Sequence, residues 1–394
     1  MSPYRRYKFP WRPGNRFETL VDSTTFFPRM LDAIATARHY ILLEMYLVDS
    51  GTVTEYFIDA LLAAAARGVR VYLLFDDFGA EQLTPHDRAR LAHPGVEVVY
   101  YNPLRSYSRL YNLYRILWLQ TTHGLFRNHR KLLLVDGECA FTGGAGLTDE
   151  VEPPHAPELR WRETMIEIRG PVIGDWQRLF TESWNLHAEQ PLVLPAGTTT
   201  TVTADQQGRV TVNEARSRMG IQRSLLRQIK RAQHRVWFAT AYFIPSWTLR
   251  RNLKRAAKRG VDVRLLLPGP ITDHPGIRYA SRRYYGRLLR NGLRIFEYTP
   301  RFFHAKTVLC DDWVTIGSCN FDRWNLQWNL EANQEIRSPD LASAIVEIFA
   351  ADFANSVEQT PEAWEQRGWR QRLLEWFWQQ VERLSLKIRH RRRR

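Results

Sequence analysis

Two copies of one short pattern constrain this chain more than any other feature. His129, Lys131 and Asp136 form H-x-K-x-x-x-x-D, and His304, Lys306 and Asp311 repeat it. A single copy means little, because about 0.01 would arise by chance in a chain of this size. Two copies in matched surroundings mean a good deal. An apolar run follows each Lys (Leu132 to Val135; Thr307 to Leu309), then the Asp, then a stretch of small residues. That stretch is Gly143-Gly144-Ala145-Gly146 in one copy and Gly317-Ser318-Cys319-Asn320 in the other. The order reads as a buried strand, a tight turn and a second strand. Residues two apart in a strand point the same way, so His and Lys share a face.

The repetition extends upstream of both motifs. An apolar strand (Tyr40 to Val48) precedes a helix ending Ala66-Arg67-Gly68 and the run Val69 to Phe75; Arg235 to Ile244 precedes a helix ending Lys258-Arg259-Gly260 and the run Val261 to Leu267. Gly after a basic last turn marks a helix C-terminus, and the apolar run after it reads as a buried parallel strand. Strand, helix and strand joined by a crossover make right-handed βαβ units. The expected fold class is therefore α/β, a duplication of two similar halves. Each is a mixed, mostly parallel sheet flanked by helices, with the active site at their interface. The expected division is 1–189 for the first half, 190–208 for a Pro-, Thr-, Gln- and Gly-containing linker, 209–358 for the second half, and 359–394 for a basic C-terminal segment rich in Trp and Arg. The stretch 199–212 reads equally well as a surface hairpin.

Charge narrows the choice of partner. A net charge of +15 implies an anionic partner, either nucleic acid or an anionic membrane surface. The 14 Trp, several interleaved with Arg, favour a lipid headgroup layer. No apolar stretch approaches the roughly 20 residues that span a bilayer, and the N-terminus lacks the apolar core of a leader peptide. Cys139, Cys310 and Cys319 have neither metal-ligand spacing nor a disulfide framework, which fits a reducing compartment. A peripheral position on the cytoplasmic face of the inner membrane is expected. Two segments look amphipathic, Tyr107 to Trp118 and the C-terminal Trp364 to Trp378, the latter followed by a basic tail. Glu44 stands on an apolar strand, where it either lines the site or marks a sheet edge.

Paired His and Lys suit transfer chemistry on a phosphodiester. One imidazole attacks phosphorus and the other protonates the leaving alkoxide, then deprotonates the incoming hydroxyl. The Lys pair balances charge on the non-bridging oxygens, and both positions hold Lys in a chain otherwise biased to Arg. No carboxylate cage is visible, so neither metal nor cofactor is expected.

These residues resemble the phospholipase D superfamily, whose signature is the doubled H-x-K-x-x-x-x-D motif, and the likeness extends over nearly the whole chain. The details look most like bacterial cardiolipin synthases, though without N-terminal membrane-spanning helices. Gly317, Ser318, Asn320, Asn329 and Glu331 match the family's G-S-x-N and N-x-E; Trp161-Arg162-Glu163 and Ile168 to Pro171 match the segments after the first motif. The resemblance implies phosphatidyl transfer between phospholipids, with phosphatidylglycerol as acceptor, through a phosphatidyl-histidine on His129, with His304 as acid and base. It implies that Glu163 orients His129 and Glu331 orients His304, that Gly144, Ser318 and Asn320 line the phosphate site, and that Asp136 and Asp311 support the fold and the charges around Lys and His. Two residues depart from the pattern: Gly146 stands where the family has Asn, and Glu163 where it has Asp. A hydrolase or nuclease of the same superfamily is the alternative, and a catalytically dead lipid-binding scaffold is disfavoured by two intact motifs.

Overall fold

The structure, a computed structural model, describes residues 8–103, 126–194, 204–214, 218–322, 329–369, 371–378 and 380. The segment Tyr107 to Trp118 and the basic terminus from Lys387 lie outside the described residues. In the first half the strands along the chain are β1 (Arg12–Val21), β2 (Tyr40–Met45), β3 (Arg70–Asp76), β4 (Val96–Tyr101), β5 (Arg127–Asn128), β6 (Leu132–Val135), β7 (Cys139–Gly143) and β8 (Thr164–Arg169). Their order in the sheet is β1-β8-β7-β6-β2-β3-β4. The second half supplies β9 (Gln206–Glu214), β10 (Arg218–Met219), β11 (Arg235–Ala239), β12 (Asp262–Pro268), β13 (Arg294–Tyr298), β14 (Thr307–Cys310), β15 (Trp313–Gly317), β16 (Asn329–Arg337) and β17 (Ser356–Gln359). It repeats the order as β9-β16-β15-β14-β11-β12-β13, with β17 added beyond β13. The α/β duplication expected from the motifs is observed.

Parallel pairing is narrower than the sequence suggested. It joins β2, β3 and β4, and likewise β11, β12 and β13, where helices make the crossovers. The motif strands instead fold back as hairpins, β6 on β7 and β14 on β15, so the remaining pairings within each half are antiparallel. The strand β9 begins at Gln206, inside the stretch read as linker. It pairs with β16 along its length and with β1 at Arg12 and Asn15, while residues 199–203 of the hairpin reading lie outside the described residues.

Alternation along the strands sorts the core into layers. Ile41, Leu43, Leu133 and Phe141 pack beneath the helices Ser23–Ala35 and Thr52–Ala66. Leu42, Leu132 and Leu134 face the other way, into a central core shared with Leu309, Ile316 and Phe349 of the second half. The crossover helices end alike in both halves. Gly68 and Gly260 take φ of 90° and 86°, a region open to Gly at no steric cost, and the preceding Arg67 and Arg259 each reach carbonyls at the end of the neighbouring helix. No helix among the described residues is long and apolar enough to cross a membrane.

The motif aspartates are part of this frame. Asp136 and Asp311 occupy the turns after β6 and β14 with φ of 54° and 49°, a region that Asp tolerates better than most residues. Asp136 accepts backbone N–H bonds from Arg38, His39 and Tyr40 at 2.8 Å each, fixing the start of β2. Asp311 does the same for β11 through Gln233, His234 and Arg235 at 2.9 to 3.0 Å. Burial opposes the Asp311 charge, yet these donors outweigh it and hold its carboxyl below the ordinary range. Asp136 lies five positions beyond Lys131, past the four residues of β6, about 16 Å at the usual rise. The contacts of Asp136 are with backbone at the start of β2, at the other end of β6 from Lys131. Replacing Asp136 by Ala removes the acceptor and leaves Ala in a left-handed conformation. The expected cost is about 2–4 kcal/mol, read as a lower urea midpoint at unchanged slope, with a smaller loss for Asp136→Asn.

Candidate active site

The two motifs meet where the halves dock, and they are fastened crosswise. The backbone N–H of His129 donates to the carbonyl of Leu330 at 3.0 Å, and that of His304 donates to the carbonyl of Arg162 at 2.9 Å. Leu330 and Arg162 immediately precede Glu331 and Glu163. Each histidine is thus tied, by its main chain, to the segment of the other half that carries a buried glutamate.

The side chains follow the same crossing. His129 Nδ1 lies 3.0 and 3.1 Å from the two oxygens of Glu331, and His304 Nδ1 lies 2.6 Å from Glu163 Oε2. This reverses the expected assignment of Glu163 to His129 and Glu331 to His304. Adjacency along the chain suggested pairs within a half; the docked halves place each glutamate opposite the other half's imidazole. A carboxylate can only accept, so each Nδ1 carries the proton and each Nε2 keeps its lone pair. The longer Glu163, in place of the family's Asp, closes the shorter of the two contacts.

Both lysines are buried beside these pairs. Lys306 Nζ lies 2.5 Å from the His304 carbonyl oxygen, 2.9 and 3.0 Å from His304 Nδ1 and Nε2, and 3.5 Å from Glu163. Lys131 Nζ donates to the His129 carbonyl at 2.9 Å. Burial pushes the Lys131 ammonium down to about 7, opposed by Glu331 and assisted by the charge of Lys306. Burial also pushes His304 down to about 4, with Lys306 adding to the effect and Glu163 opposing it, and it lowers His129 against the pull of Glu331. Burial alone would raise Glu163; Lys306 and His304 outweigh it, and the carboxyl is held below its ordinary range. The shifts of Glu163 and His304 are compatible, because Lys306 matches the carboxylate and leaves the imidazole neutral.

The small residues after the motifs are not equivalent. Ser318 donates to Glu331 at 2.5 Å, whereas its counterpart Gly144 leaves room for Glu163: a Cβ there would meet Glu163 Oε2 at 2.3 Å and Lys306 Nζ at 2.8 Å. Asn320 is buried, and its Oδ1 has no hydrogen-bond partner among the described residues. Its counterpart Gly146 packs against Leu47, whose carbonyl oxygen would sit 2.8 Å from a Cβ. The family's Asn does not fit that position here without a backbone shift.

Glu44 neither lines the site nor marks an edge. It sits on β2, between β3 and β6, on the face opposite in parity to His129 and Lys131. Asn128 donates to it at 2.7 Å, and Arg130 lies 3.7 Å away. Arg130, the unspecified residue of the first H-x-K, also donates to Ser183 at 2.7 Å and lies 3.5 Å from Glu214 of the second half. The matching residue in the second motif is Ala305. Sequence reading passed over Arg130 because the motif leaves its identity open. It also passed over Tyr46, whose ring lies 4.7 Å from that of His129, whereas Trp161, part of the matched segment after the first motif, lies 4.4 Å from the ring of His304. Asp76, which accepts the Asn128 N–H at 2.8 Å and steadies the approach to His129, carried no signal either.

Comparison with known proteins agrees with this geometry. A family model described as "Cardiolipin synthase, PLD-like domain" matches residues 30–184 and 225–353. Cardiolipin synthase A of Pseudomonas aeruginosa (strain LESB58) is 33% identical over 368 residues, covering 91% of this chain and 71% of that protein. Cardiolipin synthase B of Salmonella typhimurium is 30% identical, covering 90% and 84% respectively. Among solved structures, phosphatidylserine synthase of Haemophilus influenzae Rd KW20 shares the fold at a TM-score of 0.68 and 12% identity, covering 94% of this chain and 93% of that one. With both motifs converging at the junction of two matched halves, the chain belongs to the cardiolipin synthase family of phospholipase D-like proteins.

Proposed function

We propose that this protein is a phosphatidyltransferase that moves the phosphatidyl group of one phospholipid onto a hydroxyl of phosphatidylglycerol, making cardiolipin. The crossed His–Glu pairs carry the reading, because they present two Nε2 atoms beside two ammonium groups from opposite halves. The names of the relatives supply the lipid. In the first step His129 Nε2 attacks phosphorus, an N–P bond forms and the P–O bond to the leaving alcohol breaks. The bound phosphodiester anion first draws a proton from solvent onto His304 Nε2, and the alkoxide takes that proton. In the second step His304 takes the proton of the acceptor hydroxyl, the new oxygen bonds phosphorus, and His129 departs with its lone pair restored. Glu331 keeps the His129 ring aligned through both steps and balances the charge it gains. Lys131 and Lys306 hold the non-bridging oxygens, and Asn320 offers its side-chain amide to the same region. The enzyme works peripherally on an anionic bilayer at the cytoplasmic face.

Three measurements bear on this reading. Incubation with phosphatidylglycerol vesicles, read by mass spectrometry, is expected to yield cardiolipin and glycerol with or without EDTA, and nothing from His304→Ala. Phosphatidic acid alone would make the enzyme a hydrolase. Glu331→Gln offers a neutral amide where a carboxylate held the ring, so turnover is expected to fall roughly 10³- to 10⁴-fold in a folded protein, as for carboxylate loss in hydrolytic triads. A loss below tenfold would contradict the crossed pairing. Lys131 is cationic below about 7 and loses its charge as pH rises through that value. The ratio kcat/KM is therefore expected to fall on the alkaline side of neutrality, chiefly through a rising KM, and a profile flat across that range would remove Lys131 from phosphate binding.

A further inference from the structure

A cavity of about 630 Å³ opens on the second half, and none of the paired-motif residues lines it. Its walls come from three segments. The helix Trp247–Lys258 gives Lys254, the turn of helix at Tyr285–Leu289 with its next residue gives Arg287 and Arg290, and the C-terminal segment gives Arg367, Arg372 and Trp376. Glu375 is the sole carboxylate of the lining and is already engaged, 3.0 Å from Arg282 and 3.5 Å from Arg367. Lys254, Arg287 and Arg290 have no carboxylate partner among the described residues. Crowding of like charge is felt: burial together with Arg287, Arg250 and their neighbours lowers Lys254, and burial with Arg282 and Arg372 lowers Arg367 against Glu375.

The rim of this cavity is apolar in an unusual sense. Residues 371–378 are helical, and the helix is tied down by its charged residue, with Glu375 buried on Arg282 and Trp378 packed over Gly276. Its apolar residues point outward: Leu373, Trp376 and Phe377 are more than half exposed, and Trp369 just before them is 69% exposed. A water-facing helix normally shows the reverse arrangement. Exposed Trp and Phe flanking unpaired cations match the layering of a bilayer surface, where rings sit at headgroup depth beside phosphates.

We propose that this cavity is a second phospholipid site, separate from the catalytic centre, that takes the phosphate-bearing headgroup of an anionic bilayer lipid while Leu373, Trp376 and Phe377 enter the interface. The inference rests on the reading that the protein works at a phospholipid bilayer, and it assigns which surface faces that bilayer. Occupancy would also bridge the C-terminal segment to the body through Arg372 on one side and Arg287 on the other.

The test is flotation of the full chain with vesicles of pure phosphatidylcholine, or of equal parts phosphatidylcholine and phosphatidylglycerol. Point substitutions are needed, because removing the C-terminal segment would also strip the buried Trp364. Lys254→Gln/Arg287→Gln/Arg290→Gln is compared with Arg16→Gln/Arg38→Gln/Arg70→Gln, which removes equal charge from exposed positions on the first half. The cavity variant is expected to lose roughly 100-fold in partitioning to the anionic vesicles, at about fivefold per basic residue, and the control far less. Equal losses in both variants would overturn the site, as would a cavity-dependent rise in Tm with inorganic pyrophosphate alone, which would assign the cavity to a soluble anion. Turnover of detergent-dispersed phosphatidylglycerol is measured in parallel. Its absence from the wild type would sink the proposed transferase activity while leaving the flotation result to decide the cavity.

Discussion

The structure depends on a reciprocal exchange of anchors between its halves. Each motif histidine donates its main-chain N–H to one strand region of the other half and its ring N–H to the glutamate that follows there. A buried carboxylate without a partner costs several kcal/mol, and both Glu163 and Glu331 are fully buried. Docking resolves both problems at once, because each half brings the imidazole and lysine that the other's carboxylate needs. Further ties reinforce the seam. Arg162 forms a two-point pair with Asp352 at 2.7 and 2.8 Å, and Trp176 donates to Gln334 at 2.8 Å. The catalytic constellation is thus a property of the interface and not of either half.

A symmetric frame holds an asymmetric site. The strand order, the aspartate turns and the Arg-Gly helix ends repeat faithfully, while the residues around phosphate do not. Arg130 and Glu44 have Ala305 and Ala239 as their counterparts, Ser318 corresponds to Gly144, and Asn320 to Gly146. The first half has placed a buried ion pair under its motif strand, and the second carries the polar Ser318, bonded to Glu331, and Asn320. Two imidazoles in non-identical surroundings can divide labour between attack and proton transfer, which two identical ones could not do without help from the substrate.

Much of this was legible from residues alone, for physical reasons that can be named. The doubled His-Lys spacing encodes two strand faces, and Gly68 and Gly260 encode helix ends, because both are local rules of backbone geometry. The crossing of Glu163 and Glu331 was not legible, since it depends on how two surfaces dock and no local periodicity records that. The partners of the aspartates were not legible for a related reason: the backbone N–H groups they accept from belong to β2 and β11, far from the motifs in sequence. The C-terminal helix was readable as amphipathic, yet its inverted placement, with Glu375 inside and Trp376 outside, followed only from the position of Arg282.

The charge balance of the centre explains how two neutral imidazoles could supply both a nucleophile and an acid. Lys131 and Lys306 lie buried beside the two His–Glu pairs, and burial lowers both rings below the ordinary imidazole range. On the proposed reading a phosphodiester brings one further negative charge into this buried space. Opposite charge nearby raises the pKa of an imidazole, so the arriving anion draws a proton onto one ring while the other keeps its lone pair. The acid is then created by the substrate itself, and only when the substrate is bound. Without the substrate both rings stay bases, which reserves the imidazolium acid for the loaded enzyme.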